Sequence, residues 1–180
     1  MKDIVQVGDK VLRTVAKEIP IEEIKSSKIK KVIRDMKEAL LNEPDGAALA
    51  APQIGVPLQI FILSKKVFGE DSNHEAANKD PHHVFINPLI IKQSSKKEVM
   101  DEGCLSVRGK YGNIMRSKNV TIEAYDEHGV KFVRGAGGLL AQAFQHECDH
   151  LKGVLFFDNA TEVWEVEYPP KKNEYNKHEK

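Results

Sequence analysis

His146-Glu147-Cys148-Asp149-His150 carries an H-E-x-x-H spacing. On a helix, at about 100° per residue, the two histidines lie about 40° apart and both rings reach one metal ion. Glu147 sits about 100° round from His146, close enough to take a proton from a metal-activated water. The pattern is that of metal-assisted hydrolysis. Leu139, Leu140, Ala143, Phe144 and Leu151 share the side of the wheel that holds His146, Glu147 and His150, so this group should face inward. Gln145, Asp149 and Lys152 fall on the other side. Two histidines and an acid buried without partners would be costly, which argues against histidines placed there by chance.

A hydrolytic metal centre usually has three protein ligands and a water. The pattern H-E-x-x-H-x-x-G-x-x-H is followed as far as Gly153, but its last position is Phe156. Glu162, Glu165 and Glu167 are at a tolerable distance for a downstream acid ligand, though Val163 to Tyr168 is strand-like and runs into Pro169-Pro170. Cys148 points about 160° away from His146 and reads as a small packing residue. Cys104, in Glu102-Gly103-Cys104-Leu105-Ser106, remains: a thiolate beside Gly in a turn is well placed to reach a metal. A lone cysteine is more often a buried hydrophobe, so by itself this signal is weak.

The elements that must position these residues can be read from periodicity. Ile29, Val32, Ile33, Met36 and Leu40 make one face of a helix over about Lys28 to Leu41, with Ser26 or Ser27 as cap and Pro44-Asp45-Gly46 as stop. A second helix runs from about Leu139 to Lys152 and ends at Gly153. Leu58 to Leu63, Val84 to Asn87, Leu89 to Ile91 and Val120 to Tyr125 read as strands, and Val130 to Val133 as the hairpin partner of the last. Gly135 to Gly138 reads as the link into the second helix. Gly69 to His83 is a polar surface excursion. Two helices interrupting strands predict an α+β fold: antiparallel or mixed sheets around a central, C-terminal HExxH helix, with an N-terminal helix. One domain over 1–168 and a frayed tail over 169–180 are expected.

With 180 residues, a chain of this kind buries about 70% of its unfolded surface. Its 27 basic and 27 acidic side chains cancel, so no bulk field holds nucleic acid or an anionic membrane. No apolar run approaches the length of a membrane-spanning helix. Met1 to Gln6 lacks the apolar core of a signal peptide, so a cytoplasmic location is expected.

Three separated segments resemble the signature motifs of the peptide deformylases, in the family's order. Gly46-Ala47-Ala48-Leu49-Ala50-Ala51-Pro52-Gln53 is similar to G-x-G-x-A-A-x-Q. Glu102-Gly103-Cys104-Leu105-Ser106 is similar to E-G-C-L-S, and Gln145-His146-Glu147-Cys148-Asp149-His150 to Q-H-E-x-D-H. Gly8 to Arg13 and Ile86-Asn87-Pro88 resemble two further family segments, so the likeness covers about residues 4 to 157. It implies that Cys104, His146 and His150 hold one divalent ion, Fe²⁺ by family habit, with Ni²⁺, Co²⁺ or Zn²⁺ as substitutes. It implies Glu147 as general base, and the Gln53 side chain with the Leu105 N–H as stabilisers of the oxyanion. It implies an N-formyl-methionyl nascent peptide as substrate and formate as product. Gly46, Ala48 and Gly103 would line the path of the peptide backbone. Met100, Leu139, Gln142 and Ala143 would surround the methionine side chain.

Two positions depart from the family pattern inside the site. Ala48 stands where the family has a second Gly, a place that needs either a positive φ or close backbone approach. Gln142 stands where the family usually has an apolar pocket residue; it would bond near the metal, narrow the pocket or turn to solvent. Arg108 replaces a common Pro. Two other readings compete: an HExxH metallopeptidase, and a non-catalytic deformylase-like binding protein. A transient ribosome contact through the tail, where Lys171, Lys172, Lys177 and Lys180 outnumber Glu174 and Glu179, is the one partner expected beyond the peptide.

Overall fold

The computed structural model describes residues 2–68 and 82–166. The tail at 169–180 and most of the 69–83 excursion lie outside them; His82 and His83 open a strand instead. The first helix, α1, spans Ser27–Leu41, with the Ser26 side chain accepting the Ile29 N–H at 3.3 Å as its cap. Ile29, Ile33, Met36, Ala39 and Leu40 are its buried face.

The described residues form two antiparallel sheets. The larger has the order β1 (Ala48–Ala50), β2 (Ile60–Ser64), β3 (His82–Gln93), β6 (Asn119–Tyr125) and β7 (Lys131–Gly137). The smaller joins β4 (Lys97–Cys104), β5 (Val107–Ser117) and β8 (Ala160–Glu165). The catalytic-type helix, α2, spans Gly138–Leu151, and a single turn, α3, spans Phe156–Asn159. This is the expected α+β class.

Both faces of the larger sheet are covered, which explains why β2 is buried at all five residues. Phe61 and Leu63 face α2, whereas Ile60 and Ile62 face α1. Phe144 of α2 meets Phe85 edge-on at 5.1 Å, and Phe85 stacks on Phe61 at 4.6 Å. Those rings set the helix against the sheet and fix which way its opposite side points. Gly153 ends α2 with φ +74°, and a Cβ there would lie 2.7 Å from the Arg13 carbonyl oxygen. Neither the left-handed turn nor that approach tolerates a side chain.

Two expectations are corrected. Gly135 to Gly138 is not a link: β7 runs to Gly137, paired with Asn119, and α2 begins at the next residue. Strands β4 and β5 were not expected at all. Their charges and glycines are poor strand formers, and only cross-strand pairing rescues them.

Candidate active site

Cys104, His146 and His150 converge: their ligand-capable atoms all lie within 4.8 Å of one another. Cys104 ends β4, and the two histidines are one turn apart on α2. The Cys104 sulfur is 3.2 Å from His150 Nε2. It also receives the Ser106 N–H at 3.4 Å and Gln53 Nε2 at 3.5 Å, contacts that fix the position of the sulfur. Glu162 and Glu165 lie exposed on β8 outside this group, Glu167 lies outside the described residues, and Phe156 is buried in the core of the smaller sheet, so among the described residues Cys104 alone joins the two histidines.

Behind His146 stands Glu102, which the motif contained but which had no assigned role. Its carboxylate accepts His146 Nδ1–H at 2.9 Å, leaving Nε2 for the open side. It also accepts Arg116 Nε at 2.7 Å and Nη2 at 2.9 Å, while Arg116 Nη1 bonds Asp149 at 2.6 Å. Burial alone would raise the Glu102 carboxyl, but the Arg116 and His146 hydrogen bonds outweigh it and hold it at about 2. Burial opposes a charge on His146, yet the Cys104 and Glu102 groups beside it carry its pKa well above the ordinary value. Burial takes His150 well below, and its Nδ1 is enclosed without a partner. A soft sulfur donor, two imidazoles and the anionic Glu102 nearby favour a positive ion at this point. That donor set fits a borderline divalent transition metal.

Glu147 is 2% exposed, and its Oε2 is enclosed without a hydrogen-bond partner. Burial pushes its carboxyl up to about 7. An acid held near neutrality beside a candidate metal site is suited to proton transfer. Cys148, by contrast, packs in the larger core, and burial pushes its thiol up to about 12, which makes it a spacer.

A cavity of about 260 Å³ opens over this group. Gln53, Gly103, Cys104, Leu105, His146 and Glu147 line it, together with Ala48, Leu139, Gln142 and Ala143. Gln53 comes from the short helical turn Ala51–Ile54; its Oε1 accepts the Ala50 N–H at 2.8 Å and its Nε2 donates to Ser106 Oγ at 3.2 Å. Met100 and Gly46 do not line the cavity. Met100 is half-buried further back on β4, and the wall near Gly46 is made by Asp45, Ala47 and Ala48. Leu139 is 54% exposed and stands at the mouth, not in the core. Gln145, expected on the outer side of the helix, is buried. It accepts the Ser117 N–H at 2.9 Å and donates to the Ser117 carbonyl at 3.0 Å, tying α2 to the end of β5.

Ala48 lies in β1 with a negative φ, so no left-handed strain arises; its methyl acts only on the space in front of the strand. Gln142 does not turn to solvent: its Nε2 donates to the Asp101 carbonyl at 2.8 Å. Arg108 reaches across to Glu43 at 2.6 Å, bridging the start of β5 to the segment after α1. Nothing near Arg108 or Glu43 in sequence announces that bridge.

The cavity lies between two strand edges, because β1 and β4 each end their sheet and both contribute to its walls. A buried acid stands beside a Cys-His-His cluster in a cavity between two strand edges, an arrangement of the kind that metal-assisted hydrolysis uses. Residues 1–165 match the family model for polypeptide deformylase. The chain is 38% identical to peptide deformylase 2 of Clostridium acetobutylicum over 86% of this chain and 91% of that protein. It is 39% identical to the chloroplastic/mitochondrial peptide deformylase 1A of Arabidopsis thaliana over 88% of this chain, but spans only 61% of that relative's length. The crystal structure of peptide deformylase from Thermotoga maritima superposes with a TM-score of 0.75 at 32% identity, covering 90% of this chain and 99% of that one. The chain belongs to the polypeptide deformylase family.

Proposed function

We propose that this protein removes the formyl group from the N-terminal formyl-methionine of newly made polypeptides, releasing formate and a free amine. The observation that carries this reading is the convergence of Cys104, His146 and His150 beside the enclosed Glu147 carboxylate. A divalent ion held by these three residues, Fe²⁺ foremost and Ni²⁺, Co²⁺ or Zn²⁺ in its place, would polarise the formyl carbonyl and activate water. Glu147 Oε2 takes a proton from the attacking water and returns it to the departing amine nitrogen. Gln53 Nε2 and the Leu105 N–H donate to the carbonyl oxygen as it gains negative charge. Glu102 keeps the His146 ring in the tautomer that presents Nε2.

The slot between β1 and β4 supports an extended peptide laid between the two edges, its backbone pairing with free strand groups. Phe156 stands where the metallopeptidase pattern would need its third histidine, and Cys104 joins the two histidines instead, which supports deformylation above endopeptidase action. The intact Glu147 supports a catalyst above a binding-only relative. The test is formate release from a short formyl-methionyl peptide by metal-loaded protein, with Glu147→Gln alongside. Turnover should fall by about 10²–10⁴-fold in the variant while its metal content is retained. No formate from metal-replete native protein would overturn the reading.

A further inference from the structure

Along α2 from His146 toward the N-terminus, Ala143, Gln142 and Leu139 continue the cavity wall. At about 1.5 Å of rise per residue, Gln142 stands roughly 6 Å along the axis from His146. That is the distance at which the first side chain of a peptide held at the metal group would lie. Ala143 is small and Leu139 is at the mouth, so Gln142 is the one long polar group of this helix in that wall. It is 7% exposed, and its amide is oriented by the bond from Nε2 to the Asp101 carbonyl. One amide hydrogen is thereby committed. The second N–H and Oε1 have no protein partner among the described residues, and Oε1 is not one of the sealed orphan atoms of the molecule. In a residue that lines the cavity, one donor hydrogen and one acceptor oxygen are thus left that no protein group takes up.

An aliphatic side chain entering here displaces water from both groups and replaces none of its hydrogen bonds. A side chain of the same length with a polar end restores them. Sites built to hydrogen-bond a substrate reject analogues that lack the group, because their own buried polar atoms are left unpaired. We propose that Gln142 is a specificity-determining residue that favours a methionine-length first side chain ending in a hydrogen-bonding group, methionine sulfoxide or glutamine, over an aliphatic one such as norleucine. The inference rests on the deformylase reading of the site.

The test compares formyl-peptides that differ only in the first residue, norleucine, methionine, methionine sulfoxide or glutamine, on the native protein, Gln142→Leu and Gln142→Met. Metal content is measured in each. The ratio of kcat/KM for the sulfoxide or glutamine peptide to that for the norleucine peptide should drop about tenfold in both variants, which corresponds to 1.4 kcal/mol. A ratio that stays within about twofold overturns the proposal. So does a uniform slowing of every peptide, because that would make Gln142 only the anchor of Asp101. Affinities of the same peptides for metal-loaded Glu147→Gln, with and without Gln142→Leu, follow by calorimetry and should show the same shift. Absence of formate from every peptide would refute the deformylase reading, while the affinity ratio would still decide whether Gln142 selects the side chain.

Discussion

Glu147 and Glu102 show how environment divides the work of two identical functional groups. Both are buried, but Glu102 has a guanidinium and an imidazole to accept from, and Glu147 Oε2 has nothing. The first is therefore held at about 2 and stays an anion, whereas the second is raised to about 7 and can exchange its proton. A general base works only when unprotonated, so rate is lost as pH falls through its pKa. A divalent cation beside Glu147 favours the carboxylate. In metal-loaded protein the acid limb of kcat/KM should consequently fall below pH 7, and a pH–rate profile with that limb at or above 7 would contradict the assignment. Glu102 acts one step back from the metal group. Glu102→Gln should weaken metal binding by about 10–100-fold, read by competition with a chromogenic chelator. Undiminished affinity would remove Glu102 from the support of His146.

At the scale of elements, the site depends on β4 and β5 being held against α2. Arg116 faces Glu102 because the hairpin register places Gly112 opposite Glu102, and Arg116 is four residues on along the same face. Its third nitrogen then reaches Asp149 on α2. Arg116→Met would leave the Glu102 carboxylate buried with only His146 to answer it. The expected cost is about 3–5 kcal/mol at neutral pH, measured by urea unfolding. The pH dependence has a definite sign. A carboxyl held low contributes stability that is present above its ordinary value of 4.5 and lost as pH falls from there through about 2. The native protein should weaken across that window, and the Arg116→Met variant should do so less steeply. Equal slopes would show that the bridge does not stabilise the fold.

For the whole molecule, the candidate metal group joins the smaller sheet, through Cys104, to the helix packed on the larger one, through His146 and His150. A ligand that binds only the folded arrangement stabilises it by mass action. Saturation at about 1,000 times Kd contributes roughly 4 kcal/mol. Chelation should lower the thermal midpoint of the native protein by several degrees and leave Cys104→Ala, which lacks the sulfur bridge between sheet and helix, with a much smaller response. An equal drop in both would mean that the metal does not tie the two sheets together. The Arg13–Asp158 ion pair ties the N-terminal segment to α3, and the Gly153 turn after α2 packs against the Arg13 backbone.

The spacing of His146, Glu147 and His150 by itself determined a candidate metal-hydrolysis motif, because a 3.6-residue period places them on one side of a helix whatever surrounds it. The apolar periods of α1 and α2 and the run of β2 were equally local, and each is found where the pattern predicts it. What tertiary structure decided was everything set by pairing across the chain. Glu102, Arg116 and Asp149 meet through a strand register that no local preference encodes, since β4 and β5 are poor strand formers until they pair. Gln145 is buried because β5 ends beside it and supplies the backbone groups its amide needs. Met100 and Gly46 missed the cavity for the converse reason. Proximity to a motif in sequence does not set which side of a strand or turn faces the site; that depends on the pleat and on the neighbouring sheet.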